Sequence, residues 1–369
     1  MKKTRLFLFS SLLLVALLLA ACGGSEEVEV TRVVEVSGEG GAAEAVTFAG
    51  GGDTLATVQD RGILNCASNA ALPGFANLEA DGSYTGFDYD FCRVVAAAVF
   101  GEGGADKVEV RPTTATERFP VLQSGEADVL IRNTTWTVSR DTSLGFDFQP
   151  TTFYDGQGMM VLKDSGITTL EDFEGGSVCV QAGTTTEKNL ADVFRKLGIN
   201  SETIVFPDNP STTAAYDEGR CDGLTTDKSG LAAVRTQTAN PDEHVILDVT
   251  MSKEPLGPLT RHGDNNWGDI VMWAVNCTIN AEELGIDSGN VDEFLGSDDP
   301  VVLNLLGLEG DLAQAMGLEN DFCVEILRQV GNYAEIYDRN LGPDTPTYVP
   351  RGLNALYTEG GILYSPPFR

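Results

Sequence analysis

The stretch VCVQAGTTTEKNLADVFRK, residues 178–196, runs from a short apolar segment through a glycine-centred turn into a segment with apolar residues at Leu190, Val193 and Phe194. The first part reads as a buried strand, and the helical spacing of the last part predicts an amphipathic helix. Strand, turn and helix in that order form the repeating unit of an α/β fold. The turn also carries chemistry. A helix N-terminus presents unpaired N–H groups and the positive end of the helix dipole, so Thr184, Thr185 and Thr186 there point to an anionic or strongly polar ligand. A plainer reading makes Thr184 a helix cap, with Glu187 three residues on completing a capping box. Cys179, beside the turn, is a candidate nucleophile until the other cysteines are counted.

The same alternation continues on both sides. GILNCAS (62–68), KVEVRPT (107–113) and ADVLIRNT (127–134) read as strands, separated by the helical segments FDYDFCRVVAAAVFG (87–101) and ERFPVLQSGE (117–126). A second set follows, with ETIVFP (202–207), CDGLTTD (221–227) and EHVILDV (243–249) as strands and STTAAYDEGR (211–220) and KSGLAAVRTQT (228–238) as helices. Two α/β lobes with largely parallel sheets are expected. Beyond residue 265 the pattern is mostly helical, and WGDIVMWAVNCTINAEELG (267–285) is the longest periodic run.

The N-terminus gives the compartment. Lys2, Lys3 and Arg5 precede an apolar stretch over 6–19 and then LAAC, ending at Cys22. A basic start, an apolar core of this length and small residues before the cleavage point make a secretory signal over 1–21. LAAC resembles the lipobox of bacterial lipoproteins, which implies cleavage before Cys22 and lipidation there. Residues 22–52 are rich in glycine and charge and read as a tether to the lipid anchor. The expected location is extracytoplasmic, on the cell membrane.

Six cysteines remain: Cys66, Cys92, Cys179, Cys221, Cys277 and Cys323. An even number in an exported chain favours disulfides, for which about fifteen pairings are formally possible. Sequence order points to Cys66–Cys92, Cys179–Cys221 and Cys277–Cys323, each stapling one contiguous region. That pairing weakens the nucleophile reading of Cys179. The 369-residue chain has a formal net charge of −31 and 42% hydrophobic residues. It is globular, and too acidic to approach nucleic acid or an anionic lipid surface through its body.

GFDYDFCRVVAAAV (86–99) resembles the signature of the bacterial solute-binding proteins for polar amino acids, with Tyr89 where that signature usually has an aliphatic residue. RFPVLQSGEADVLIRNTTWTVSRDTSLGF (118–146), VCVQAGTTTEKNLADVF (178–194), AAYDEGRCDGLTTDKSGL (214–231), SKEPLGP (252–258) and RGLNALYTEGGILYSPPFR (351–369) are similar to the branch of that family that binds L-amino acids generally for ABC importers. The resemblance covers roughly residues 60–369. It implies a two-lobed fold of the periplasmic-binding-protein type II class, with a ligand cleft and two crossing hinge segments near 159–163 and 252–258. Lobe one would then comprise 53–161 and 256–369, and lobe two 162–255.

The resemblance also implies a site. An amino-acid zwitterion brings a carboxylate and an ammonium that both lose water on binding. Arg140 matches the family's carboxylate-binding arginine, whose planar fork suits both oxygens. Thr135 matches an assisting hydroxyl, Asn133 the position whose carbonyl meets the ammonium, Asp227 the carboxylate that takes the ammonium, and Thr184 and Thr185 the lobe-two carboxylate binders. Asn69 and Arg118 are candidates for the ligand's side chain. Simpler alternatives stand beside these: Arg140 pairing with Asp141 at the surface, Asp227 capping the following helix, Arg118 on a lobe surface, and Trp136 in the core or cleft wall. The loop CASNAALPGF (66–75) offers no obvious aromatic lid, which suits broad acceptance of polar, acidic and amide side chains.

The reading is therefore a monomeric, cofactor-free binding protein that closes on an L-amino acid and passes it to an ABC importer's permease. A dehydratase-type enzyme on the same fold is one alternative, but His244 and His262 both read as exposed loop positions and no metal spacing or nucleophile triad is present. A ligand sensor for a separate signalling partner is the other, for which a membrane span after SPPFR is expected and not found.

Overall fold

The computed structural model describes residues 52–369. The expected signal over 1–21, the tether and the lipidated Cys22 lie outside the described residues. The chain begins with helix α1 (Thr54–Arg61), strand β1 (Leu64–Ser68) and a small antiparallel sheet of β2 (Ala71–Leu72), β3 (Ala76–Leu78) and β4 (Tyr84–Thr85). Then come α2 (Phe87–Phe100), β5 (Val108–Pro112), α3 (Arg118–Ser124), β6 (Val129–Leu130) and β7 (Phe146–Phe148). Strand β8 (Phe153–Leu162) crosses into the second lobe, built from β9 (Ser177–Gln181), α4 (Thr185–Leu197), β10 (Glu202–Phe206), α5 (Asn209–Asp217), β11 (Gly223–Asp227), α6 (Lys228–Arg235) and β12 (His244–Ile246). Strands β13 (Lys253–Leu256) and β14 (Leu259–Arg261) return the chain to the first lobe. Helices α7 (Asn265–Glu283), α8 (Val291–Phe294), α9 (Pro300–Leu305), α10 (Phe322–Gln329) and α11 (Tyr333–Leu341) complete it.

Each lobe is organised on one mixed sheet, in the order β5–β1–β6–β14–β7 for the first and β10–β9–β11–β8–β12 for the second. The strands that precede helices pair in parallel, β1 with β5 and β6, and β9 with β10 and β11. Those near the crossover, β8, β12, β13 and β14, pair antiparallel. The second sheet is covered on both faces. Met159, Val161 and Val178 point into one apolar layer with Leu190 and Phe194, while Met160 and Cys179 point into the other with Leu224 and Leu231. That alternation is the period-two consequence of a pleated strand buried on both sides.

The first lobe's larger core gathers α2, α7, α10 and α11 around Phe87, whose ring lies 5.0–6.0 Å from those of Phe91, Phe153, Tyr333 and Tyr337. Helix α2 is preceded by Gly86 at its N-cap, where φ is +126° and an added Cβ would lie 2.2 Å from the Phe75 carbonyl oxygen. Only glycine fits that approach.

Strand β8 settles where the chain changes lobe. Its first four residues pair with β13, and its remainder with β11 and β12. Phe153 belongs to the first lobe's core, but Met159, Met160 and Val161 belong to the second's. The change therefore falls between Phe153 and Met159, slightly ahead of the crossing expected at 159–163, because the two crossing segments zip together before β8 enters the second sheet. Strand β6 is also shorter than the expected 127–134 segment. After Leu130 the chain turns away from the sheet, reaching Asn133 at φ +24°. His244 is a correction as well: it lies buried in β12, with Nδ1 2.9 Å from the Tyr216 hydroxyl, rather than in an exposed loop. His262 does sit in an exposed turn.

All three disulfides form in sequence order: Cys66–Cys92 joins β1 to α2, Cys179–Cys221 joins β9 to the residues before β11, and Cys277–Cys323 joins α7 to α10. Each lies within one lobe. Replacing both Cys179 and Cys221 by alanine is expected to lower stability by about 4 kcal/mol from loop entropy alone. Chemical denaturation of the variant checks this, and ligand affinity should survive because the bridge does not span the cleft.

Candidate functional site

The two lobes meet along a mostly polar line of side chains drawn from the ends of strands and helices. Leu72, Arg118, Arg132, Asn133 and Thr135 contribute from the first lobe. Gln181, Thr184–Thr186, Asn209, Thr226 and Asp227 contribute from the second. Between them is a narrow cavity of about 20 Å³, flanked by two wider grooves of about 280 and 450 Å³. The lobes touch directly across it, with the Thr135 and Thr185 hydroxyls 3.3 Å apart. At Gly183, φ is +73° and an added Cβ would lie 2.7 Å from Thr116 Cγ2 of the opposite lobe. A small polar ligand can enter only if the lobes part.

The opening stretch folds as its pattern predicts, with α4 beginning at Thr185. Thr184 caps it by accepting the Glu187 N–H at 3.0 Å. The capping box, however, is incomplete: the Glu187 carboxylate accepts the Gly183 N–H at 2.9 Å instead of reaching Thr184. The N–H groups of Thr184, Thr185 and Thr186 have no protein acceptor among the described residues, and these threonines line the cavity. Cap and ligand cradle are thus compatible at one turn.

Asp227 is 4% exposed and stands at the N-cap position of α6, yet its side chain does not cap that helix. It faces the cavity, which Asn133 also lines. Burial, together with repulsion from Asp155 and Glu254, pushes its carboxyl well above the usual range, against the pull of Arg118. Asn133 is held from the other side: its backbone N–H donates to Asp88 at 2.7 Å, and its Oδ1 accepts from Asn69 Nδ2 at 2.8 Å. The first-lobe wall carries three buried arginines, Arg118, Arg132 and Arg140. Burial, followed by mutual repulsion, holds Arg118 well below its ordinary value, and burial brings Arg132 and Arg140 down to about 10.

Arg140 lies on a wide π-type turn at Ser139–Ser143, with its guanidinium donating to the Thr135 carbonyl at 2.7 Å. It does not pair with Asp141, whose carboxylate instead accepts the Trp136 indole N–H at 2.8 Å. Trp136 is exposed and stacks on Phe148 rather than entering the core. Arg140 lines the larger groove, which it shares with Thr184 and Thr185, while Asn69 lines the other. Arg118 is buried in the cavity wall and donates to Thr134 Oγ1 at 3.2 Å, and its Nε has no partner. The surface reading of Arg118 is therefore wrong.

Glu254 was not singled out in the sequence, although SKEPLGP contains it. This carboxylate on β13 is 1% exposed and accepts Thr135 Oγ1 at 2.5 Å from the first lobe. From the second lobe it accepts Thr185 Oγ1 at 2.9 Å and Asn189 Nδ2 at 2.8 Å, and it also accepts the Ser252 hydroxyl. A hinge strand thus supplies the acceptor that ties both lobes together. Charge spacing along an extended strand gives no signal for such a role, because its donors are dispersed between Thr135 and Ser252. Arg132 was likewise missed, hidden in an apolar strand pattern.

The sequence profile of the bacterial extracellular solute-binding proteins, family 3, matches residues 64–343. The chain belongs to that family. It is 51% identical over 318 residues to the general L-amino acid-binding periplasmic protein AapJ of Rhizobium johnstonii, covering 86% of this chain and 93% of that protein. The glutamate/glutamine/aspartate/asparagine-binding protein BztA of Rhodobacter capsulatus is 47% identical over 328 residues, covering 89% and 96% respectively. Among solved structures, an ABC transporter/periplasmic binding protein from Brucella ovis with glutathione bound is 49% identical with a TM-score of 0.84, covering 86% of this chain and all of that one. This family-3 protein is a solute binder and not an enzyme.

Glu254→Gln keeps one carbonyl acceptor but replaces the other by an amide that cannot accept. It is expected to cost roughly 1–3 kcal/mol of stability, the range for leaving a buried donor unsatisfied. A thermal or denaturant melt of the purified protein measures it.

Proposed function

We propose that this family-3 protein captures L-amino acids with polar, acidic or amide side chains outside the cytoplasm and delivers them to the permease of an ABC importer. It works as a monomer, tethered through a lipidated Cys22 and residues 22–52 after removal of the 1–21 signal. The two lobes, broadly 53–161 with 256–369 and 162–255, are the moving bodies, and the β8–β13 ribbon is their hinge.

The observation that carries this reading is the pairing of opposite polarities across one cavity. The buried Asp227 carboxylate caps nothing and carries a raised pKa. The open N–H groups of α4 and the guanidinium of Arg140 lie toward the other end. An ammonium restores the ionised form of Asp227, and a carboxylate meets the α4 N-terminus and Arg140. Thr135, Thr184 and Thr185 add hydroxyls, Asn133 supplies its carbonyl to the ammonium, and Arg118 and Asn69 face the ligand's side chain. Each lobe holds part of the set, so bound ligand gains contacts only when the lobes close, and closure is what the permease reads. The names of AapJ and BztA support the ligand class and its breadth.

Calorimetric titration of the oxidised protein with L-amino acids tests the reading. Saturable binding of glutamate and glutamine is expected. Arg140→Ala or Asp227→Asn should cost roughly 2–5 kcal/mol, at least about 30-fold in Kd, as a buried charge loses its partner. Absence of binding across the panel by folded protein overturns it. The raised Asp227 pKa adds a pH signature. Binding must expel the Asp227 proton wherever the free protein holds one, so affinity falls as pH drops below that pKa and protons are released on binding. Titrations in buffers of different ionisation enthalpy detect the release, which Asp227→Asn should abolish.

A further inference from the structure

A threonine hydroxyl carries one proton and two lone pairs, so once its proton is given to the protein it meets a ligand only as an acceptor. Thr135 and Thr185 line the cavity, one from each lobe. Both donate to the same atom, Glu254 Oε2, at 2.5 and 2.9 Å. The other carboxylate oxygen, Oε1, accepts Asn189 Nδ2 at 2.8 Å and the Ser252 hydroxyl. Each oxygen of Glu254 therefore holds two donors, which fills its lone-pair sites. The carboxylate is 1% exposed and stands behind the two threonines, outside the cavity wall.

The Thr135 and Thr185 hydroxyl oxygens lie 3.3 Å apart. With both protons drawn to Glu254, neither donates to the other, and the lone pairs left over form a two-oxygen acceptor at the cavity. An N–H donor can bridge such a pair, whereas a carboxylate oxygen placed there meets only lone pairs. Turning either proton toward a ligand would strip a buried carboxylate of a charge-assisted donor, so the arrangement resists reversal. The Thr185 N–H has no protein acceptor among the described residues. The α-ammonium and α-carboxylate of an amino acid hang on one carbon, so Thr185 can meet both, the carboxylate through its N–H and the ammonium through its hydroxyl oxygen.

We propose that Glu254 is a positioning residue of the binding site: by taking the hydroxyl protons of Thr135 and Thr185 it turns both oxygens into acceptors for the ligand's α-ammonium and leaves the α-carboxylate to Arg140 and the N–H groups of α4. This rests on the amino-acid reading of the cavity and specifies it. It reverses the expectation that these two hydroxyls serve the carboxylate. Because Thr135 comes from the first lobe, Thr185 from the second and Glu254 from the hinge, the acceptor pair is complete only where the lobes are apposed. Selection for a ligand that bears an amine is thereby tied to closure.

The test uses the full oxidised protein with L-glutamate and L-glutamine. A crystal structure of either complex should place the ligand's α-nitrogen within about 3.2 Å of both hydroxyl oxygens, with no carboxylate oxygen on them. In calorimetry, Thr135→Val, which keeps the shape and deletes the hydroxyl, should weaken binding at least about tenfold, and Thr135→Ser, which keeps the hydroxyl, should restore most of the loss. Glu254→Ala, if its melt stays cooperative, should cost a similar factor. Combining it with Thr135→Val should cost much less than the product of the two, because Glu254 acts through Thr135. If Glu254→Ala does not fold, the complex and the two Thr135 variants decide. A carboxylate oxygen on either hydroxyl, full affinity in Thr135→Val, or losses that multiply in the combined variant each overturn the assignment while leaving the amino-acid reading intact. Failure of both amino acids to bind folded native protein overturns that reading and the assignment with it.

Discussion

A charge taken out of water must find a partner, and this protein withdraws several at the line where its lobes meet. Arg118, Arg132 and Arg140 line the first lobe's wall, while Asp227 faces them from the second and Glu254 from the hinge. Desolvation is the leading cause of the shifted pKa in each of the three arginines and in Asp227. The cleft therefore gathers several charges whose burial the protein compensates only in part. That imbalance suits the proposed amino-acid zwitterion, which brings one charge of each sign.

The hinge follows from the same constraint. Two antiparallel strands, β8 and β13, cross side by side and share a short hydrogen-bonded ribbon before β8 enters the second sheet. Glu254 on this ribbon accepts donors from Thr135 in one lobe and from Thr185 and Asn189 in the other. In this conformation the polar cluster around Glu254 and the cavity are therefore formed together. Because the three disulfides stay inside lobes, they staple each lobe without bridging the two, as the proposed closure requires.

Much of the fold was legible because its cause is local. The helical spacing of Leu190, Val193 and Phe194 predicts an amphipathic helix after the glycine turn, and the structure places α4 there, at Thr185–Leu197. The pairing by sequence order succeeded for all three disulfides because each joins neighbouring elements of one lobe. Expectation failed where a local rule was overruled from a distance. The polar segment before His244 reads as a surface loop, but the ring is captured by Tyr216 from α5. Glu187 has the spacing of a capping-box partner, yet the tight turn at Gly183 offers it a different N–H. Strand β6 ends early because the chain must bend at Asn133, which Asp88 and Asn69 hold from outside the strand.

The site divides along the same boundary. Sequence alone determined the α/β alternation, the helix start with open N–H groups, the even cysteine count and a family resemblance that brought Arg140, Asp227 and the threonines into view. Each is a property of residue type and spacing within a short segment. Tertiary structure alone decided that Arg118 is buried and not superficial, that Arg132 stands where the cavity opens into a second groove, and that Glu254 bridges the lobes. Burial and charge pairing depend on which distant segments arrive together, and no one-dimensional pattern encodes that meeting until the sheets have formed and the lobes have closed.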